Sequence, residues 1–167
     1  DYHTVNPRFG SNRDLTTLVA EAHQLGWKVI LDGVFNHSGT EFPPFKDVRE
    51  KGAASAFKDW FYVSKFPVEV RDGQQTYRTF AGVTSMPKLN TDNPEVREHI
   101  FTVAEHWLRF GIDGWRLDVP TEIRDEPFWL EFRRRCRAVN PEAYLVGEIW
   151  HEAPDWLAGD RFDAVMN

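Results

Sequence analysis

The residues best suited to chemistry are acids that end three apolar, strand-like runs: Asp32, Asp118 and Glu148. One acid at the end of a strand is usually a helix cap or a loop anchor. Three in succession, with Arg116 and His37 beside them, indicate a shared polar site. Parallel β/α folds bind ligands at the carboxyl ends of their strands, so we expect these side chains to line one cavity.

The spacing of the last two acids favours one kind of reaction. Asp118 and Glu148 are thirty residues apart, about the length of one βαβ unit, and should lie on neighbouring strands roughly 4.7–4.9 Å apart. Two carboxyl groups about 5–5.5 Å apart suit a retaining glycosidase, whereas an inverting enzyme needs about 6.5–9.5 Å. The spacing therefore favours double displacement at a glycosidic bond, with one acid as nucleophile and the other as acid/base.

The sequence around the two acids suggests which takes which role. Arg116 lies two residues before Asp118, so in a strand both point to the same face, and the guanidinium favours the ionised nucleophile. Glu148 lies between Gly147 and Ile149, with no cation adjacent in sequence. An apolar wall there would favour the protonated form that a general acid needs.

The elements that must position these residues follow an alternating pattern. Apolar residues at helical spacing predict helices over 13–25, with Asn12 as N-cap and Gly26 after its end, over 94–110 and over 126–139, with a weaker helix over 155–158. Apolar, β-branched runs predict strands over 28–35, 112–119, 144–148 and 161–166. This order implies parallel β/α units, and both a barrel and a doubly wound sheet fit it.

One long segment breaks the alternation. More than fifty residues lie between Asn36 and Asn93, far beyond the usual connection of about 4–6 residues. Such a segment is normally a functional insertion or a small subdomain. We expect most of its aromatic residues to form a core of their own and one or two to be able to stack on a sugar.

Composition excludes several classes of protein. The chain has 167 residues with 20 Lys+Arg and 26 Asp+Glu, a formal charge of −6, which argues against a nucleic-acid partner. No apolar run approaches the roughly 18–20 residues of a membrane span, so no membrane partner is expected. The single cysteine, Cys136, excludes an internal disulfide. The chain starts at Asp1 without a leader, which we interpret as a segment cut from a longer protein.

The remaining polar and aromatic residues have plainer interpretations. The run Arg133–Arg135 is interpreted as a solvated helix face. No pair of histidines has convincing zinc spacing, so no metal is assigned. Five histidines are expected to be surface or capping groups: His3, His23, His99, His106 and His151. Packing is expected for Trp107, Trp115, Trp129 and Trp156.

Four segments resemble conserved motifs of one enzyme family. Residues 32–37 (DGVFNH), 114–118 (GWRLD) and 147–150 (GEIW) look like conserved regions I, II and III of the α-amylase family of glycoside hydrolases. Residues 86–90 (MPKLN) resemble the additional motif of its neopullulanase, cyclomaltodextrinase and maltogenic amylase branch. The motifs occur in the family's order, with a long insertion after the first.

The resemblance implies a fold. It implies a (β/α)8 TIM barrel, an α/β fold, of which this chain is an incomplete fragment covering about strands 3 to 6. Residues 1–36 and 93–167 would belong to the barrel and 37–92 to a domain B insertion after strand 3. The family's third acid would lie beyond Asn167, so we expect the fragment alone to be inactive and, with open sheet edges, prone to aggregate.

The resemblance also implies residue roles. Asp118 would be the nucleophile and Glu148 the acid/base, with Arg116 positioning the nucleophile and Asp32 supporting the site from beneath. The other matching positions have roles in binding or in joining the domains. His37 would bind the sugar at the cleavage point, Asn36 would tie domain B to the barrel, and Glu122 and Trp150 would shape the leaving-group side.

The resemblance leaves the specificity open. After Asp118 the branch usually reads Val-Ala-Asn-Glu, whereas this chain reads Val-Pro-Thr-Glu over 119–122, a difference on the acceptor side of the site. The implied substrate is an α-glucan: maltooligosaccharide, cyclodextrin or pullulan, with α-1,4 bonds or also α-1,6 bonds, by hydrolysis or transglycosylation. No cofactor is expected, and calcium, common in the family, has no recognisable site here. The whole protein would be cytoplasmic rather than secreted, with a homodimer as one option.

Two other classes stay open at this point. One is a carbohydrate-binding barrel relative that has lost catalysis; it should lack Asp118 or Glu148, and this sequence retains both. The other is a metal-assisted β/α-barrel hydrolase in which Asp32 and Asp118 would be metal ligands. Sensitivity of the activity to chelators would distinguish this class from a glycosidase.

Overall fold

The computed structural model describes residues 1–71 and 73–166. It forms two compact units, one made of Asp1–Gly33 with His99–Asn167 and the other of Val34–Glu98. The four α-helices of the described residues are α1 (Asn12–Gln24), α2 (Pro43–Lys51), α3 (Pro94–Arg109) and α4 (Glu126–Val139). The strands are β1 (Ile30–Gly33), β2 (Val70–Arg71), β3 (Gln74–Gln75), β4 (Gly114–Leu117), β5 (Tyr144–Gly147) and β6 (Ala164–Val165).

The first unit is built on a parallel sheet. Its strands have the order β1-β4-β5-β6, and each neighbouring pair is parallel. Parallel neighbours need long crossover connections, here supplied by the insertion with α3, by α4, and by the segment after β5. All four strands are shorter than predicted.

The start of β4 requires a glycine. Gly114 pairs with both Ile30 and Tyr144. A Cβ atom at position 114 would lie 1.9 Å from the carbonyl oxygen of Tyr144, far inside van der Waals contact. Glycine therefore allows β4 and β5 to approach at the register that brings their carboxyl ends level.

Helix α1 begins differently from the prediction. Its N-cap is Ser11, which forms a capping box with Asp14: the Asp14 N–H donates to Ser11 Oγ at 3.3 Å and the Ser11 N–H to Asp14 Oδ2 at 2.7 Å. The prediction of Asn12 as N-cap was wrong, because a reciprocal pair satisfies two free N–H groups of the first turn. The Asn12 side chain instead binds the N-terminal segment, accepting from Val5 N–H and donating to the His3 carbonyl.

Helix α4 supplies much of the core of the first unit. Phe128 and Trp129 are almost fully buried, and the Trp129 indole donates to the Ile123 carbonyl at 3.0 Å. Helix α1 is covered much less, since Leu18 and, directly after the helix, Leu25 remain exposed. The predicted packing of Trp107, Trp115 and Trp129 is confirmed by burial, and Trp156 stacks on Phe162.

The second unit has an aromatic core of its own. Phe45 packs edge-on against Phe61 and Tyr77, at centroid distances of 5.0 and 5.1 Å. All three rings are buried, which confirms the expected core within the insertion. Helix α2 presents Phe45 and Val48 to this core, and the hairpin β2–β3 follows it in sequence.

Two predictions for polar side chains were wrong in part. Five histidines were expected to be surface or capping groups, and His151 is exposed. His3, however, lies against His99 and His106, at ring-centroid distances of 5.7 and 5.0 Å, so these three pack together. In the arginine run only Arg134 is mainly exposed: Arg133 pairs with Asp163, and Arg135 pairs with Glu105. Both arginines find carboxylates from other elements, which sequence periodicity does not reveal.

None of the described helices is long and apolar enough to cross a membrane.

Candidate active site

One guanidinium joins the three predicted acids at the carboxyl end of the sheet. Arg116 Nη1 lies 2.7 Å from Asp32 Oδ1 and 2.9 Å from Asp118 Oδ1. Its Nη2 lies 2.6 Å from Glu148 Oε1. Asp32, Asp118 and Glu148 therefore form one cluster around Arg116, which we call the carboxylate cluster.

Strand register explains this convergence. Asp32 pairs with Arg116 across β1 and β4, and Leu117 pairs with Gly147 across β4 and β5. Asp118 and Glu148 are the next residues after that pair. The Glu148 N–H continues the ladder by donating to the Leu117 carbonyl at 2.9 Å, so the two acids lie side by side on adjacent strands.

The cluster has more negative than positive charge. The Arg116 side chain is only 22 % exposed, and this burial lowers the pKa of its guanidinium. Hydrogen bonds to Asp32 and Asp118 outweigh burial and hold the Arg116 pKa above its usual value. A permanently charged guanidinium thus faces three carboxylates that it cannot neutralise together when all are ionised.

The surroundings of Glu148 differ from the prediction. We expected an apolar environment for Glu148, but a cation lies beside it. Glu148 Oε1 contacts Arg116, and Oε2 accepts the Val119 N–H at 3.1 Å. The two donors lie on either side of Asp118 in sequence. The sequence around β4 predicts a contact of Arg116 with Asp118 only. The parallel sheet also brings the guanidinium to Glu148, at the end of the neighbouring strand.

Two further predicted residues lie on the same unit. Trp150 follows β5 closely and is 74 % exposed, so its indole face is available to a ligand. Glu122 ends the short 3₁₀ helix Pro120–Glu122 that follows β4, and it is exposed.

Asn36 and His37 belong to the second unit. The His37 ring stacks on Phe80, with a centroid distance of 4.8 Å. The Asn36 Oδ1 accepts a hydrogen bond from Lys88 Nζ, and the Leu89 N–H donates to the Asn36 carbonyl. Both partners belong to the MPKLN motif, so this motif holds the segment that follows β1. The contact between Lys88 and Asn36 was not predicted, although the motif that contains Lys88 is recognisable in the sequence.

No group of three or more His, Cys, Asp or Glu side chains suited to a metal ion occurs in residues 1–71 and 73–166. The metal-based alternative needs Asp32 and Asp118 as ligands. Both of these carboxylates bind the Arg116 guanidinium.

Fold and site together define the class. Parallel β/α units that carry acids at the carboxyl ends of adjacent strands are the arrangement of β/α-barrel enzymes. The model for the catalytic domain of alpha-amylase matches residues 1–167. The chain belongs to the α-amylase family, which confirms the resemblance and identifies the four-stranded sheet as part of its (β/α) barrel.

Similar proteins agree with this assignment. The chain is 53 % identical to a cyclomaltodextrinase of a Bacillus species, over 100 % of the chain and 30 % of the relative. It is also 53 % identical to neopullulanase 2 of Thermoactinomyces vulgaris, over 100 % of the chain and 28 % of that protein. The crystal structure of Ttha1563 from Thermus thermophilus superposes with a TM-score of 0.97 at 52 % identity, covering 100 % of this chain and 35 % of that one. The chain thus spans about 30 % of the curated relatives' length.

Proposed function

We propose that this chain carries the nucleophile and the acid/base of a retaining α-glucan glycosidase. The observation that carries the proposal is the placement of Asp118 and Glu148 on adjacent strands, each bound to the same guanidinium. Adjacent strands give the narrow carboxyl separation that retaining enzymes use. An inverting enzyme would need room for a water molecule between the catalytic base and the sugar.

The proposed reaction has two steps. In the first, an Asp118 carboxylate oxygen attacks the anomeric carbon while Glu148 transfers its proton to the glycosidic oxygen, so that the C–O bond breaks and the leaving sugar departs as an alcohol. In the second, Glu148 removes a proton from water, which attacks the anomeric carbon and releases Asp118. A sugar hydroxyl in place of water gives transglycosylation.

Arg116 and Asp32 orient this pair. The Arg116 hydrogen bond to Asp118 Oδ1 orients the carboxylate and so fixes the direction of its attack. Asp32 binds the same nitrogen of Arg116 from β1 and so restrains the guanidinium. We therefore propose Asp32 as a support of the site and not as a reacting group.

The residues proposed to bind substrate have suitable chemistry. An imidazole such as that of His37 can hydrogen-bond a sugar hydroxyl, and we propose Asn36, which Lys88 holds, as a structural support of the site. Trp150 offers an exposed ring on which a sugar can stack. Glu122 provides an exposed carboxylate for hydroxyl groups of the leaving-group side.

The names of the relatives guide the substrate proposal. Proteins named cyclomaltodextrinase and neopullulanase are 53 % identical to this chain. We propose maltooligosaccharides, cyclodextrins and pullulan as substrates, with α-1,4 bonds first and α-1,6 bonds as an additional activity. A cytoplasmic location and a homodimeric whole protein belong to the same proposal.

The isolated chain should be nearly inactive. Its sheet has four strands, with β1 and β6 as edges, and the third acid implied by the family is expected on a further strand. We therefore design the assays around a chimeric barrel, in which this chain replaces the matching segment of the Bacillus cyclomaltodextrinase. Cleavage of maltooligosaccharides by the isolated chain at a rate near that of the chimeric barrel would contradict this part of the proposal.

The decisive experiment removes the proton donor. Glu148→Gln in the chimeric barrel should lower kcat/KM for maltotriose about 10²–10⁴-fold, because an amide cannot transfer the proton. Glu142→Gln is the matched control, since Glu142 is exposed and precedes β5, and it should retain activity. Unchanged turnover in Glu148→Gln, or an inverted anomer as first product, would overturn the proposal.

The metal-assisted alternative makes a different prediction. It needs Asp32 and Asp118 as ligands, but both carboxylates already bind Arg116 Nη1. Dialysis of the chimeric barrel against a chelator should therefore leave the Asp118-dependent activity intact. Loss on chelation with recovery on adding a divalent ion would favour the alternative.

A further inference from the structure

Between the nucleophile and the next turn, the backbone adopts an unusual conformation. Val119 has φ 35° and ψ 53°, in the left-handed region. A β-branched residue is rarely found there, because its side chain crowds the following carbonyl, and such a conformation persists only where the surroundings enforce it. Strained backbone of this kind is concentrated at functional sites.

The hydrogen bond of Val119 indicates what the conformation accomplishes. Its N–H donates to Glu148 Oε2 at 3.1 Å. The other oxygen of the same carboxylate, Oε1, lies 2.6 Å from Arg116 Nη2. Both oxygens of Glu148 are therefore held, and both donors come from the segment that contains Asp118.

The two donors have different mobility. Arg116 reaches Glu148 through a long side chain that also serves Asp32 and Asp118. The Val119 amide is fixed by its surroundings: the Glu122 N–H donates to the Val119 carbonyl at 3.0 Å, and the next residue, Pro120, is buried. A substrate can displace the guanidinium from Oε1 more easily than it can displace the amide from Oε2.

We propose that the Val119 N–H is a positioning group for the acid/base, an inference that rests on the proposed function. In protonated Glu148, Oε2 is the carbonyl oxygen and keeps the Val119 N–H, while Oε1 bears the proton and faces the glycosidic oxygen. Oε1–H transfers its proton to that oxygen as the C–O bond breaks, and Oε1 later accepts a proton from water. Because the amide belongs to the residue after Asp118, it holds the proton donor at a fixed position relative to the nucleophile.

The test removes one N–H group. Replacing Val119 by its α-hydroxy analogue, which converts the amide to an ester in the chimeric barrel, keeps the side chain and deletes the donor. Aryl α-maltosides with phenols of increasing acidity then measure how much protonation the leaving group needs. Loss of positioning should lower kcat/KM about 10–100-fold for the poorest leaving groups, the range expected for a hydrogen bond to a charged group, and only slightly for the most acidic phenols.

A second ester serves as the control. Ile123 donates its N–H to the Pro120 carbonyl at 3.1 Å in the same turn, not to either acid. The ester at 123 should lower all rates by one common factor, leaving the dependence on the phenol unchanged. A uniform loss in the ester at 119 as well, or no loss, would overturn the inference.

Two further variants complete the design. Glu148→Gln tested on the same aryl series separates the two proposals: if it shows the selective loss and the ester at 119 does not, only the positioning role falls, and if it shows none, the proposed function falls with it. Should the ester at 119 fail to fold, the ester made with glycolic acid at 119 takes its place and is compared with Val119→Gly, because glycine tolerates a positive φ and retains the amide. Val119→Gly should match the unmodified barrel in its dependence on the phenol, and the glycolic acid ester should show the selective loss. A selective loss in Val119→Gly itself, or none in the glycolic acid ester, would overturn the inference.

Discussion

Carboxylates at the two ends of the same parallel sheet differ in the number of hydrogen-bond donors around them. At the carboxyl end, three carboxylates share Arg116. At the amino end of β4, a single carboxylate, Asp113, has three donors: Val29 N–H at 2.8 Å, His23 Nε2 at 2.7 Å and Lys28 Nζ at 3.0 Å. Acceptors are in excess at one end and donors at the other.

Asp163, just before β6, repeats the amino-end pattern. Its Oδ1 lies 2.9 Å from Arg133 and 3.0 Å from Arg137, and its Oδ2 accepts the Leu145 N–H at 2.8 Å. Burial raises the pKa of Asp163, but the donors outweigh it and the Asp163 pKa lies below its usual value. The same balance, burial against Val29, His23 and Lys28, lowers the pKa of Asp113.

This difference separates structural from reactive acids. A carboxylate saturated by cations and amides stays ionised and fixed, which suits a link between elements. A carboxylate that shares one guanidinium with two others can exchange that contact for one with a substrate. The predictions below test this contrast, from the largest expected effect to the smallest, and all use the chimeric barrel.

Removing an amino-end acid should affect stability most. Asp163→Asn leaves Arg133 and Arg137 without their shared carboxylate and should lower the free energy of unfolding by about 2–3 kcal/mol, measured by urea denaturation. Asp160→Asn is the control, because Asp160 is half exposed and its ion pair is with its neighbour Arg161; it should stay within about 0.5 kcal/mol. Equal stability of both variants would contradict the structural role that we assign to Asp163.

Acid should weaken the first unit through His99. Burial is the main cause that lowers the pKa of His99 to about 4, with His3 adding to it. Unfolded His99 binds a proton near pH 6.5, so its stabilising contribution is complete above that pH and is lost progressively as the pH falls towards 4. His99→Gln should flatten the decline of unfolding free energy over this interval. His151→Gln, at an exposed position, should keep the decline.

Removing an acid at the carboxyl end of the sheet should not lower the free energy of unfolding, in contrast to Asp163→Asn. Asp118→Asn abolishes the proposed nucleophile, yet it takes one of three like charges from a cluster with one cation. We expect turnover to collapse while the free energy of unfolding stays unchanged or rises, on the order of 0.5–1 kcal/mol, as in other trades of stability for activity. A destabilisation as large as that of Asp163→Asn would erase the contrast between the two ends.

The smallest effect is expected within the arginine run. The Arg134 side chain is 65 % exposed and pairs with Glu131 on its own helix, so Arg134→Ala should change stability by less than about 0.5 kcal/mol. Arg135→Ala should cost more, because Arg135 binds Glu105 of α3 at a mainly buried position. Thermal unfolding of the two variants measures the difference, and equal costs would restore the interpretation of a solvated face.

Local pattern predicted much of the architecture. Helical spacing of Trp129, Phe132 and Cys136 predicted α4, and all three are buried. The N-cap of α1 was misassigned because both Ser11 and Asn12 are capping residues by type. Only the reciprocal bonds of Ser11 with Asp14 distinguish them.

The same limit applies to charged groups. Sequence places Arg116 two residues from Asp118, and a strand has a period of two, so their contact was predictable. The contacts of Arg116 with Asp32 and Glu148 cross from strand to strand. They depend on the parallel register, which no local pattern encodes.

The sequence by itself determined which residues could react and the order of the elements that carry them, because residue type and hydrophobic period are local properties. The tertiary structure decided which acids share Arg116, which donors bind Glu148, and which acids are saturated. The physical reason is that hydrogen bonds and ion pairs act over about 3 Å in space. Residues dozens of positions apart meet at that distance only once the strands have paired.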